Sequence, residues 1–447
     1  MHAFNPTVLP VYIIHLKERT ERLNHVLEQF KNKPEFEIHI VEAIKHEIGA
    51  IGLWQSLRQC VQKGLDNNDD LIIICEDDHE FTSEYSKSFL FACIEKAKNM
   101  HADILSGGIS FFRDSLQVEE NLFWVQFFTG TQFTIIFKKL YQVILNASFE
   151  DDSTADRKYC ELFNNNMCIH PFISIQKEFG YSDATPINNT AGLVKMLFNR
   201  SSEALQVLKD VSAFYKKITK VKEVDTTINF DSTIIPTYII NLAERTERKA
   251  HIIQQFEGKK EFEWMIVDAC KHDIGALGLW LTIRKIIRLA LKNDEDVIII
   301  CEDDHEFTKD YHKDTFIQNI IEANEQGADY LSGGTGGFYL AIPISKQRFW
   351  VNPCSSTQFI VIYKKFFEKI LNEPFDDHVI ADILLSEITS HKMVVYPFIS
   401  KQKDFGYSDV TLIHNEIQGL VTNLFVESSI RLALIKKAAE YKKRLPN

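Results

Sequence analysis

Three consecutive acids close an apolar run twice in this chain, in Ile72-Ile73-Ile74-Cys75-Glu76-Asp77-Asp78-His79-Glu80-Phe81 and again in Ile298-Ile299-Ile300-Cys301-Glu302-Asp303-Asp304-His305-Glu306-Phe307. Adjacent carboxylates repel one another and lose solvation when packed together, and a divalent cation relieves both costs. Two acids completed by phosphate oxygens and water suit Mg2+ or Mn2+ held on a nucleotide. Glu76 with Asp78, and Glu302 with Asp304, keep the acid-x-acid spacing that such a site uses. A solvated strand-to-loop turn would also carry acids, but their recurrence in both copies favours a site. His79 and His305 follow directly, either as extra ligands or as exposed histidines beyond the turn.

Other residues of chemical interest lie at the ends of neighbouring elements. Arg19 and Arg22, like Arg245 and Arg248, stand three positions apart in a first helical turn, where both can meet phosphate near the helix N-terminus. Pairing with Glu18 and Glu21 on the surface fits the same spacing. Asp156 and Asp382 each open a helix-like stretch, as a first-turn acid or as a general base. Ser106-Gly107-Gly108 and Ser332-Gly333-Gly334 can admit a ligand close to the backbone or simply turn the chain. Polar tails at 176–183 and 402–409 complete the set.

To position these groups, the acids need a buried strand ending at the carboxyl edge of a sheet, where open α/β sheets bind ligands. The surrounding periodicity predicts strands at 11–16 and 37–41, helices at 20–30 and 51–65, the acid-tipped strand, a helix at 83–98 and a strand at 102–105. Strands at 123–128 and 131–137, a short helix at 139–145 and an apolar stretch at 167–175 follow. An offset of 226 residues superposes nearly all of this on the second half, for instance Phe179-Gly180-Tyr181-Ser182-Asp183 on Phe405-Gly406-Tyr407-Ser408-Asp409. The expected architecture is therefore α/β: two tandem Rossmann-like modules at 8–222 and 234–447, joined by a linker at 223–233, each a mostly parallel sheet with flanking helices. Amphipathic segments at 203–217 and 430–443 end the modules; docking onto or between modules accounts for them better than peripheral membrane attachment, since their faces are only mildly basic.

Composition narrows the function. A formal charge of −12 argues against a nucleic-acid partner. No run approaches the roughly 20 apolar residues of a membrane span, and the N-terminal residues do not resemble a signal peptide. Eight cysteines without a CxxC pair suit a reducing cytoplasm, and Cys160, Cys168 and His170 match no common zinc spacing.

The order Tyr238-Ile239-Ile240-Asn241-Leu242 with Arg245 and Arg248, then Ile274-Gly275 with Gly278, then Glu302-Asp303-Asp304, then Ala381-Asp382 with Leu385, then 402–409, resembles glycosyltransferase family 25, the lipooligosaccharide and procollagen galactosyltransferases. It spans about residues 8–185 and 234–411. The resemblance implies a GT-A fold, a UDP-sugar donor, Mn2+ or Mg2+, and inverting transfer of galactose or a similar sugar. A glycan, lipooligosaccharide or protein hydroxyl would accept it, as in lipopolysaccharide biosynthesis. It also implies that Arg19, Arg22, Arg245 and Arg248 approach the donor, and that Asp78 and Asp304 hold the metal. Glu76, Asp77, Glu302 and Asp303 would support them, with Asp156 and Asp382 as bases. Two departures stand out. The histidine of the family's Cys-x-Leu-Ser-His is Leu57 or Ile283 here, and His15 replaces the Asn241 of the second module. A non-catalytic nucleotide-sugar or glycan scaffold, and a metal-dependent phosphohydrolase or nucleotidyltransferase, are the alternatives.

Overall fold

The computed structural model describes residues 8–149, 153–181, 189–219, 230–407 and 419–444. Most of the expected linker, and Ser182, Asp183, Ser408 and Asp409, lie outside the described residues. The chain divides into two compact units, Met1–Asp210 with Ala438–Asn447 and Val211–Lys437. Among the described residues, no helix is long and apolar enough to cross a membrane.

The first unit opens with β1 (Leu9–His15), α1 (Thr20–Phe30), β2 (Phe36–Glu42), α2 (Gly49–Asp66) and β3 (Leu71–Glu76). Next come β4 (His79–Phe81), α3 (Lys87–Asn99), β5 (Ile104–Ser106), β6 (Phe111–Glu119), β7 (Leu122–Thr129) and β8 (Phe133–Phe137). It ends with α4 (Tyr141–Asn146), α5 (Ala155–Leu162), β9 (Asn166–Ile169), β10 (Ser174–Gln176) and the start of α6 (Leu193–Thr219), whose residues from Val211 on fall in the second unit. Eight strands form one sheet in the order β2-β1-β3-β8-β5-β9-β7-β6, and β4 pairs with β10 in a separate ribbon. Six of the eight point the same way; only β7 and β8 run against them. This is the expected mostly parallel sheet, with helices covering it.

The strand β3 lies inside the sheet between β1 and β8, so its Leu71 to Cys75 stretch is buried on both faces and reads as an unbroken apolar run. Alternation is lost for the same reason. On α1 the inward face consists of Arg22, Val26 and Phe30, which places a cation in line with a core stripe.

The second unit repeats the plan with β11 (Ile235–Asn241), α7 (Thr246–Phe256), β12 (Phe262–Asp268), α8 (Gly275–Lys292), β13 (Val297–Glu302) and β14 (His305–Phe307). After α9 (Lys313–Glu325) and β15 (Tyr330–Ser332) come β16 (Leu340–Pro343), β17 (Arg348–Asn352) and β18 (Phe359–Tyr363). The unit continues with α10 (Lys364–Asn372), α11 (Ala381–Ile388), β19 (Lys392–Val395), β20 (Ser400–Gln402) and α12 (Leu420–Arg444), whose residues from Ala438 on fall in the first unit. Its strand order matches the first sheet position for position. Both terminal helices begin about ten residues before the amphipathic segments read from the sequence. Val421, Phe425, Leu432 and Ile435 of α12 are buried, and Arg431 stacks 4.0 Å from the Phe338 ring.

Candidate functional site

Within each acid triplet the middle carboxylate turns inward and the outer two face a cleft. Asp77 is buried, with Arg22 Nη1 donating to its Oδ1 at 3.2 Å and His15 Nδ1 lying 3.1 Å from its Oδ2. In the second unit Arg248 Nη1 donates to Asp303 Oδ1 at 3.1 Å, and Asn241 Nδ2 to Asp303 Oδ2 at 2.8 Å. His15 and Asn241 thus do the same structural work. Parallel pairing of β1 with β3 sets Ile14 opposite Glu76, which brings the end of β1 to the acids.

The same arginines reach the outer acids and the polar tails. Arg22 Nη1 lies 3.6 Å from Asp78 Oδ2, and Arg248 Nη1 lies 3.4 Å from Asp304 Oδ2. Their Nη2 atoms donate to the carbonyl oxygens of Tyr181 (2.6 Å) and Tyr407 (2.7 Å). Each guanidinium also lies against two rings, Arg22 against Phe179 (4.7 Å) and Tyr181 (4.5 Å), Arg248 against Phe405 (4.8 Å) and Tyr407 (4.5 Å). Arg19 and Arg245 sit over the same tyrosines at 5.1 and 5.3 Å. Surface pairing with the neighbouring glutamates is not what Arg22 does. Glu18 pairs instead with Lys45 at 2.7 Å.

Crowding raises the proton affinity of the cleft acids. Burial, then the charge of Asp78, pushes Glu76 up to about 8, against a hydrogen bond from Thr131 Oγ1 at 2.5 Å. Burial and Asp77 push Asp78 up to about 6 despite Arg22. The second unit repeats this: Glu302 rises to about 8, through burial and Asp304, and Asp304 to about 6, through burial opposed by Arg248. One guanidinium therefore does not balance three carboxylates. Among the described residues, Asp78 Oδ1 and Asp304 Oδ1 are moreover buried without a hydrogen-bond partner. Unpaired carboxylate oxygens beside a raised carboxyl group fit a divalent cation. Among the described residues no three His, Cys, Asp or Glu side chains form a complete metal cage, so such an ion would need further oxygens from a ligand or water.

Both sets open into a cavity. In the second unit it measures ≈ 630 Å3 and is lined by Asn241, Arg245, Arg248, Glu302, Asp303, Asp304, Thr357, Asp382 and Gln402, together with the start of α8. The corresponding cavity of the first unit, ≈ 270 Å3, takes in Arg22, Glu76, Asp78, Thr131, Asp156, Gln176 and Tyr181. Gly278 allows the start of α8 to lie against the chain before it: a Cβ there would stand 2.6 Å from the Cys270 carbonyl oxygen. Asp156 and Asp382 occupy the first turns of α5 and α11. The Asp382 carboxylate accepts from Ser356 N (2.7 Å) and Ile383 N (2.8 Å), which fixes its plane while each oxygen keeps a free lone pair. Asp156 accepts from Arg157 N at 2.8 Å and from the Thr154 hydroxyl.

Two expectations are corrected. His79 and His305 are neither ligands nor exposed: both are fully buried, stacked on Phe133 and Phe359, with Nδ1 2.8 and 2.7 Å from Ser174 Oγ and Ser400 Oγ. Burial lowers their proton affinity, His79 to about 3, so the rings are neutral. The Ser-Gly-Gly loops admit the protein's own backbone, not a ligand: a Cβ on Gly108 or Gly334 would collide with the carbonyl oxygen of Ser174 or Ser400. Sequence reasoning also passed over Thr131 and Thr357, whose hydroxyls bond Glu76 and Glu302, although Thr-Gln-Phe recurs at 131–133 and 357–359.

No protein-family model matches the chain, and no curated protein matches it. Among solved structures, A197 from STIV is 13% identical with a TM-score of 0.28, over 39% of this chain and 87% of that one. The mannosyltransferase PcManGT from Pyrobaculum calidifontis, solved with GDP-Man and Mn2+, is 11% identical with a TM-score of 0.27, over 50% and 77%. Apo UDP-glucose pyrophosphorylase is 8% identical with a TM-score of 0.25, over 43% and 82%. These likenesses are too remote to bear on the chemistry.

Proposed function

We propose that the chain is a metal-dependent glycosyltransferase that moves a hexose, galactose or a similar sugar, from a UDP-sugar to a hydroxyl of a glycan, lipooligosaccharide or protein. The observation that carries the reading is the pair Glu302 and Asp304, which lines one cavity with Arg245 and Asp382 while Asp304 Oδ1 lies buried with no hydrogen-bond partner among the described residues. A bound Mn2+ or Mg2+ would neutralise charge on the departing diphosphate, with Asp304 and Glu302 holding it in one unit and Asp78 and Glu76 in the other. Arg248, bonded to Asp303, holds the triplet in register, while Arg245 offers its charge towards the donor. The acceptor oxygen bonds the anomeric carbon as the carbon–oxygen bond to the diphosphate breaks. Asp382 takes the hydroxyl proton, and the nucleoside diphosphate leaves with the electron pair.

The two units need not contribute equally. Ligand cavities span roughly 300–1,000 Å3; ≈ 630 Å3 suits a nucleotide sugar, whereas ≈ 270 Å3 does not hold one without opening. This favours turnover in the second unit. Thermal stabilisation by UDP with Mn2+, followed by turnover over a panel of UDP-sugars, tests the reading. Failure of UDP and Mn2+ to stabilise the protein ends both the transferase and the scaffold versions; phosphate release without sugar transfer favours a phosphohydrolase.

A further inference from the structure

Beside the acid-lined cavity of the second unit runs a second hollow of ≈ 480 Å3, and Ile380 and Ile383 line both. Asp382 lies between those two isoleucines in sequence, so the hollow begins where the acceptor hydroxyl must arrive. Ile380 is 53% exposed and Phe375 40% exposed, and Leu384 continues the apolar floor. Exposed aliphatic and aromatic groups beside a polar cleft lower the free energy only when something apolar covers them.

The first unit gives an internal comparison on the same backbone. At the offset of 226 residues Ile380, Ile383 and Leu384 become Thr154, Arg157 and Lys158, while Asp382 becomes Asp156. The carboxylate is kept and its apolar surroundings are replaced by polar and cationic ones. Folding of the short helix does not require the apolar set, because α5 and α11 span the same eight positions with either. At the rim stand Asp376 and Glu387 with His378, and the Arg284 guanidinium lies 4.8 Å from the Phe375 ring centroid, so charges of both signs border the hollow and neither sign is selected.

We propose that this hollow is the acceptor subsite of the second unit and takes the uncharged alkyl aglycone of a glycoside, whose sugar hydroxyl then faces Asp382. Ile383 and Leu384 select that aglycone, and the first unit lacks the selection. The inference rests on the transferase reading for its purpose, but its test reads binding alone.

Calorimetric titration of the full chain with n-octyl and methyl glycosides of the same sugars, below the micellar range, is the experiment. At about 0.8 kcal/mol per buried CH2, even two or three buried methylenes give at least tenfold tighter binding of the octyl compound. Leu384→Lys, which installs the residue of the first unit, removes that advantage, and Leu384→Thr reduces it. Stabilisation by UDP with Mn2+ in the same variants reports that they are folded. Equal affinity for octyl and methyl glycosides, or an octyl advantage that survives both substitutions in folded protein, overturns the proposal. Loss of the UDP response in the unmodified protein would instead strike the transferase reading and leave the aglycone result to stand on its own.

Discussion

Arg248 Nη1 stands 3.1 Å from Asp303 Oδ1, and the two side chains are only 6% and 7% exposed. A buried pair of this kind is costly to break from one side, because the remaining charge has lost its counter-ion and cannot reach water. Arg248→Met is therefore expected to destabilise its unit by about 3–5 kcal/mol in urea denaturation. Arg248→Met combined with Asp303→Leu should recover much of that loss. A single-variant effect below about 1 kcal/mol would mean that the pair is solvated and contributes as surface ion pairs do.

Asparagine at the outer aspartate removes a charge and keeps the shape. Asp304→Asn is expected to abolish stabilisation by UDP with Mn2+ in its unit and to lower turnover by roughly 10²–10³-fold. Asp78→Asn should have smaller effects on both stabilisation and rate, given its ≈ 270 Å3 cavity. A large rate loss from Asp78→Asn alone would reverse the assignment of the units.

Much of this candidate site is legible in the sequence because its residues repeat. An apolar run ending in acids can hardly be anything other than a strand buried on both faces, and β3 and β13 are such strands. Arg22 is harder to place, since an arginine at the head of a helix fits a phosphate contact and surface pairing equally. Only the tertiary fold shows it four positions before Val26 on the inward face, closing over Asp77. The short β4, pairing with β10 through His79 and Gln176, falls below the length at which alternation can be seen, so the sequence places His79 beyond the turn, as a ligand or an exposed histidine. Likewise β6, Phe111–Glu119, carries Arg113 and Asp114 in mid-strand and gives no clean period; the structure pairs it with β7 through a register shift near Gln117.

Proton linkage gives a sign that can be checked. Glu302 is raised from 4.5 to about 8 and Asp304 from 3.8 to about 6, so both hold protons at pH values where a cation must bind carboxylate. Affinity for Mn2+ with UDP should rise between about pH 5.5 and 8 and level off above, with protons released on binding. Calorimetry in two buffers of different ionisation enthalpy measures that release. Without metal, a carboxyl group raised in the folded state stabilises it below the unfolded value near 4.5 and loses that contribution as pH rises through about 8. Glu302→Gln should consequently raise metal-free stability at pH 8 by roughly 1–2 kcal/mol, and a decrease would show that the carboxylate is not strained.

Asp382 separates a chemical role from a capping one. Its carboxylate, held by the amides of Ser356 and Ile383, occupies the first turn of α11, where an acid also favours the helix. In Asp382→Asn the carbonyl oxygen still accepts from one amide, so the stability cost should stay within about 0.5–2 kcal/mol. A general base, by contrast, accounts for roughly 10²–10⁴-fold in rate. The variant should thus bind UDP with Mn2+ normally, keep the donor KM, and lose kcat by that factor. A kcat within a few-fold of the unmodified protein, accompanied by the same drop in stability, would confine Asp382 to the helix terminus and send the search for the proton acceptor elsewhere among the groups around Glu302.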